Sequence, residues 1–185
     1  VLQRDMSVPI WGLARPGDTA TVVFAGQTKT ATSDRFGRWL LRLDPMPASA
    51  ESRTLTVATI PKSKIQNLEF DDVLVGDVWL GSGQSNMEIR DFPLIRISST
   101  CPRYFKTPNG GWVPATHENI HQTSAMMVCS MVPLQQELGI PIGMVVRALS
   151  SSPSGAWTPP DAIAADPAIQ EQVAGYAAGG YAKAW

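Results

Sequence analysis

Val73-Leu74-Val75-Gly76-Asp77-Val78-Trp79-Leu80-Gly81-Ser82-Gly83-Gln84-Ser85-Asn86-Met87 is the stretch whose reading decides the fold. It opens as an apolar run rich in valine, with a tryptophan, the composition of a buried strand. It closes in small and polar residues. Glycines at 81 and 83 let the backbone turn sharply and let a substrate come close. Ser85 then stands where a helix begins, next to backbone N–H groups that favour developing negative charge. A hydroxyl presented in this way reads as a nucleophile. The plainer alternative is a glycine-rich turn in which Ser85 only caps a helix. Three other glycine-loop chemistries fail on spacing. A dinucleotide fingerprint needs glycine where Asn86 stands, a phosphate-binding loop needs Gly-Lys-Ser/Thr, and a G-x-S-x-G elbow needs glycine where Met87 stands.

Working outward, residues 1–72 read as a β-rich domain. Val8–Trp11, Thr19–Ala25, Thr28–Thr32, Arg38–Leu43 and Thr54–Ala58 have strand composition. Arg15-Pro16-Gly17-Asp18, Gly26-Gln27 and Ser33–Gly37 are turn signals between them, and Pro45–Ala50 reads as a loop. Strands at such intervals suggest a β-sandwich. Residues 73–185 change character. The 73–80 strand is followed by a helix over Ser124–Leu138, stopped by Gly139 and Pro141 and expected to kink or break at Pro133. Ile142–Val146 is a second buried strand, ending in Ser150-Ser151-Ser152-Pro153-Ser154-Gly155. Asp166-Pro167 starts a final Ala-rich helix. Strand, helix, strand, helix implies an α/β layered domain with a parallel sheet, whose sites collect at the C-terminal ends of the strands. The loops 81–86 and 150–155 both fall there.

Composition narrows the partners. With 44% hydrophobic and 17% charged residues and a net charge of −1, nothing points to nucleic acid or an anionic membrane. No apolar run reaches the roughly 18 residues of a membrane span. The chain starts at Val1 without a signal-peptide pattern. Either a leader has been removed or the sequence starts late in a longer protein, and the expected location is secreted or periplasmic. Cys101 and Cys129 allow either one disulfide or two half-buried thiols.

The block Asp77-Val78-Trp79-Leu80-Gly81-Ser82-Gly83-Gln84-Ser85-Asn86-Met87-Glu88 resembles the first conserved block of sialate O-acetylesterases and is similar to acetylxylan esterases of the SGNH-hydrolase superfamily. Further matches follow in the family order: Gly111-Trp112, Ser124-Ala125, Glu137–Gly143, and Pro153 with Ala156-Trp157-Thr158. Phe36-Gly37-Arg38-Trp39 resembles the β-domain that precedes the catalytic domain in many of these enzymes. The resemblance implies an N-terminal β-sandwich-like domain followed by part of a three-layer α/β/α domain. It implies a serine esterase that removes O-acetyl groups from carbohydrates, with no cofactor and no metal.

On that resemblance Ser85 attacks the acetyl carbonyl, and its own N–H is the first oxyanion donor. The second comes from the family's Gly-Gly-Thr stretch, where this chain has Ser150, Ser151 and Ser152. Gln84, Asn86, Trp157 and Arg147 are the implied substrate contacts. The family's Asp-x-x-His and Gln-Gly-Glu blocks do not occur here. A serine hydroxyl needs an adjacent base, so the base is expected outside this chain, in a remaining segment of the catalytic domain or a second chain. The interval from Glu88 to Trp112 is also short against the family pattern.

Two other readings remain in view. One is a non-catalytic glycan-binding or scaffold fragment. The other is a zinc peptidase, since His117-Glu118-Asn119-Ile120-His121 matches H-E-x-x-H and Glu137 offers a third ligand. Pro114, Asn119 and Thr123 argue against the helix that motif needs, and a polar loop is the better reading. Trp112 and Trp157 read as sugar platforms or core, Arg147 as a carboxylate contact or a solvated strand end, and Glu88 and Asp77 as structural.

Overall fold

The apolar run at 73–80 is the second half of one long strand, β7 (Gln66–Gly83), and the molecule is built along it. The computed structural model describes residues 1–60, 66–90, 103–106, 111–116, 118–152 and 158–178. Before β7 come β1 (Leu2–Gln3), β2 (Val8–Leu13), β3 (Thr19–Phe24), β4 (Gln27–Thr32), β5 (Arg38–Leu43) and β6 (Ser49–Ile60). After it come α1 (Ser85–Glu88), β8 (Arg103–Lys106), β9 (Trp112–Pro114), α2 (Ala125–Leu138), β10 (Ile142–Ala148), α3 (Pro160–Ala165) and α4 (Pro167–Ala178). One sheet runs β4-β3-β6-β7-β10-β8-β9, with β1 beside β7; β2 and β5 form a separate ribbon. The fold is mixed α/β with both antiparallel and parallel pairing, as the sequence pattern implies.

The first part of the chain closes on local antiparallel pairs. β3 and β4 join through Ala25 and Gly26, both at positive φ (48° and 77°), so the turn lies one residue earlier than Gly26-Gln27. A two-residue turn of this type needs positive φ at both positions, which matches the twist of the flanking strands. Alternation along β5 sends Trp39, Leu41 and Leu43 inward, where they meet Val8, Val22, Phe24, Leu55 and Val57. Gly12 permits this packing, because a Cβ there would lie 2.7 Å from the Trp39 ring.

β6 begins at Ser49, inside the stretch expected to be a loop. Its polar start is held by backbone pairing, with Ser49 opposite Val75. Between Leu55↔Phe70 and Arg53↔Val73 the β7 side carries one extra residue. Asp72 sits in that bulge at φ 55°, and Asp71 accepts a hydrogen bond from Thr54 Oγ1 at 2.8 Å. The composition change noted near residue 72 therefore coincides with a bulge inside a continuous strand.

Beyond the bulge β7 changes partners. Pairing with β6 ends at Val75, and parallel pairing with β10 runs from Ile142↔Asp77 to Ala148↔Gly83. Gly76 is fixed by this exchange, since a Cβ there would lie 2.0 Å from the Pro141 carbonyl oxygen. β1 braces the junction. Arg4 Nε donates to Asp77 Oδ1 at 2.8 Å, and Gln3 Oε1 accepts from the Val78 N–H at 2.8 Å. The same hydrogen bond to Asp77 holds the Arg4 guanidinium above its ordinary pKa.

α2 covers the parallel pair, packing Met127, Val128, Met131 and Val132 on Ile142 and Met144. It runs through Pro133 without the expected break. Proline removes one backbone bond, to the carbonyl of Cys129, and both residues lie on the exposed side where water substitutes. Ser124 caps its start by accepting from the Met127 N–H at 3.3 Å, and Gly139 ends it at φ 65°. Asp166 starts α4 as expected, accepting from the Ala168 N–H at 2.9 Å. β8 and β9 were not anticipated, because neither carries an apolar alternation in the sequence.

Candidate active site

The site begins where β7 stops. Gly81 is buried, and a Cβ there would sit 2.6 Å from Met127 Sδ and 3.0 Å from Met87 Sδ. A side chain at this position would have to displace both methionines. Gly83 then turns the chain at φ 145°, outside the range comfortable for side-chain-bearing residues. Gln84 accepts from the Met87 N–H at 2.8 Å, and α1 starts at Ser85. Gln84, Ser85 and Asn86 are all exposed. The helix expected after Ser85 is a single turn, so its macrodipole is small. What it offers is the local N–H groups of its first residues.

Parallel pairing brings the second loop alongside. The Leu149 N–H donates to the Gly83 carbonyl at 3.1 Å, so the chain leaves β10 next to the elbow. The Ser150 N–H donates to Glu88 Oε2 at 2.7 Å. Ser151 takes φ 61°, a left-handed conformation that costs a side-chain-bearing residue about 1–2 kcal/mol. Ser152 closes the turn, its Oγ donating to the Leu149 carbonyl at 2.6 Å. Of the two amides that could supply the second oxyanion donor beside Ser85's own, Ser150's is already bonded to Glu88. No hydrogen bond engages Ser151's among the described residues.

Glu88, read from the sequence as structural, makes a long-range tie that the sequence does not show. Ser85 and Glu88 stand in the S-x-x-E spacing of a capping box, in which the carboxylate reaches back to its own helix start. Here it reaches across to the loop after β10 and ties the two ends of the site together. Met87, half-buried, anchors the elbow from below, with Ser124 Oγ 3.3 Å from its sulfur. The Ala125 N–H donates to the Ile89 carbonyl at 2.7 Å, so the start of α2 is bonded to the chain leaving α1.

A cleft of about 170 Å³ lies beside this elbow, lined by Met87, Glu88, Arg90, Thr123, Ser124 and Arg147 among others. Arg147 is exposed, sits opposite Ser82 in the parallel register and faces this cleft. Ser85 lies outside its lining. Trp157 and His117 fall outside the described residues, as does Cys101. Trp112 packs its ring over Gly143, 3.1 Å from where a Cβ would stand, and is 37% exposed, so one ring face serves the fold.

The segment Glu118–His121 is turn and 3-10 helix. Asn119 accounts for this, accepting from the Thr116 N–H and donating to the Pro114 carbonyl, both at 2.8 Å. Such local bonds compete with an α-helix, and the helical H-E-x-x-H geometry does not form over these residues. His121 is exposed. Among the described residues no cluster of three or more His, Cys, Asp or Glu is placed to hold a metal ion. Cys129 is an exposed free thiol.

No family model matches the chain. It is 29% identical over 192 aligned positions to human sialate O-acetylesterase, covering 85% of this chain and 36% of that protein. Mouse sialate O-acetylesterase is 38% identical over 96 positions, covering 48% of this chain and 18% of its own length. A crystal structure of a carbohydrate acetylesterase from Xanthomonas citri superposes with a TM-score of 0.68 at 28% identity, covering 85% of this chain and 39% of that one. The chain therefore spans little more than a third of the length of these full-span relatives.

Proposed function

We infer that this relative of the sialate O-acetylesterases and carbohydrate acetylesterases carries the nucleophilic part of a serine esterase that removes O-acetyl groups from carbohydrates. The observation that carries the reading is the exposed Ser85 on a one-turn helix at the C-terminal end of β7, beside the loop that follows the parallel strand β10. In this account Ser85 Oγ attacks the acetyl carbonyl and forms an acetyl-enzyme, and water then releases acetate. The Ser85 N–H and the Ser151 N–H face the developing oxyanion. Donors aimed at that oxygen contribute about 3–4 kcal/mol each to the transition state. The Ser150 N–H holds the loop through Glu88 and contributes to the oxyanion only if that bond opens.

A hydroxyl at its free pKa is a weak nucleophile, so the reaction needs a base beside Ser85. No described residue hydrogen-bonds to its hydroxyl. In the proposed enzyme a histidine from a remaining segment of the catalytic domain, or from a second chain, takes this place. Gln84, Asn86 and Arg147 are the proposed substrate contacts here, together with Trp157. Residues 1–72 form the proposed β-domain and residues 73–185 the proposed first portion of the catalytic domain. A secreted or periplasmic location suits an enzyme acting on glycans.

The test is Ser85→Ala in the complete protein, assayed on p-nitrophenyl acetate. Hydrolysis is expected to disappear while thermal unfolding is unchanged; retained turnover rejects the nucleophile. An organophosphonate separates this from the scaffold reading, since it labels an activated serine and leaves a merely capping one unmodified.

A further inference from the structure

The outward face of the β2–β5 ribbon carries a patch that the esterase reading does not use. Pro9, Trp11 and Leu13 point outward from β2, and Arg38, Leu40 and Arg42 point outward from β5. Trp11 stands directly opposite Leu40 and is 70% exposed. Arg42 lies across from Pro9 and Arg38 across from Leu13, so the two arginines flank the indole on the diagonals. Such diagonal neighbours are about 7–8 Å apart, within reach of long side chains. The preceding turn adds Phe36, with the Arg35 guanidinium 4.6 Å and the Arg38 guanidinium 4.9 Å from its ring centre.

The inner side of this ribbon is already spent on the core through Trp39, Leu41 and Leu43. On the opposite side Pro9, Trp11, Leu13 and Leu40 form an apolar strip that the described residues leave exposed. Its flanks are charged. Asp34 pairs with Arg38 at 3.1 Å, while Arg35 and Arg42 have no ion pair among the described residues. In a chain of net charge −1, this face is locally cationic.

We propose that this face binds an acidic polysaccharide carrying a carboxylate on successive sugar residues. An exposed indole offers a flat surface for the C–H face of a pyranose. A guanidinium fork matches a carboxylate in two parallel hydrogen bonds. Arg38 and Arg42 are four residues apart on one strand, about 13 Å between backbones. Arg42 takes one carboxylate directly. Arg38, now bonded to Asp34 at 3.1 Å, takes a second by exchanging that partner. A polyuronate supplies that second carboxylate and a single terminal acidic sugar does not. The proposal is independent of Ser85.

The test is calorimetric titration of the full chain with a hexameric oligogalacturonate, its methyl-esterified counterpart and sialyllactose. Saturable binding of the acidic hexamer is expected, with about tenfold weaker binding of the other two. Trp11→Ala and Arg42→Ala should each weaken binding of the acidic hexamer by about tenfold, with the unfolding temperature unchanged because both side chains are exposed. No binding, equal binding of the esterified hexamer, or tighter binding of sialyllactose overturns the proposal. So does self-association of the chain that Trp11→Ala abolishes, which would make the strip a contact between copies.

Discussion

The two ends of β7 sit in differently built surroundings. Around its first half, strands pair antiparallel through short turns, and the core joins side chains from the β2–β5 ribbon and from β3, β6 and β7. Around its second half, the pairing is parallel and the core is the narrower contact of α2 with β10. There Trp79 is 44% exposed and Leu80 65% exposed, on a type of strand that is usually covered on both faces. The first half satisfies itself locally. The second places an elbow, a loop and a cleft together and leaves apolar strand surface in water. One continuous strand, braced where Arg4 bonds Asp77, links the candidate site to the core of the first half.

The comparison breaks most sharply at Ser85. Ser85→Ala should lower esterase activity of the complete protein by about 10⁴-fold or more without moving the unfolding midpoint, measured by steady-state hydrolysis beside calorimetry. Phe24→Ala should do the reverse. It opens a cavity in the core between the β2–β5 ribbon and the large sheet and should cost about 3–5 kcal/mol by denaturant titration. Because β7 is shared, unfolding should remain one transition, and separate transitions for the two halves would contradict that coupling.

Glu88→Ala frees the Ser150 N–H and should reduce kcat by about tenfold. Glu88→Gln keeps an acceptor oxygen and should recover most of that loss, whereas identical losses in both variants would deny the bond a positioning role. Ser151→Gly relieves the left-handed serine and should raise stability by about 0.5–1 kcal/mol, less than the strain itself because glycine is freer when unfolded.

The smallest effect is electrostatic. Hydrogen bonds to Asp34, first from the Arg38 N–H and also from the Phe36 N–H, hold its carboxyl below the usual range. Its contribution is therefore complete above the ordinary carboxylate pKa of about 3.9 and fades as pH falls through its lower folded value. Asp34→Asn should flatten that acid limb of the stability profile and leave neutral pH nearly untouched.

Much of this contrast is legible in the sequence, for physical reasons. Alternation in β5, the Gly139 stop of α2 and the Asp166-Pro167 start of α4 are local signals, and each formed as read, while Ser124, read as the first helical residue, is the cap before it. The elbow itself is legible because glycines end the strand and a helix start follows at Ser85. The start of β6 was hidden because backbone pairing, not side-chain pattern, holds Ser49 to Val75. β8 and β9 were hidden for the same reason. The Glu88–Ser150 bond spans 62 positions, and no local rule sends a capping-box carboxylate across to another loop. Ala25 at positive φ was missed because the neighbouring Gly26 is the stronger turn signal.

The central claim is that Ser85 takes up the acetyl group. The direct measurement is to mix the complete protein with p-nitrophenyl acetate, quench in acid during turnover and map peptides by mass spectrometry. One acetyl group on the peptide containing Ser85, absent in Ser85→Ala, is the predicted result. Turnover with that serine never acetylated, or the same acetylated peptide from the alanine variant, would contradict it.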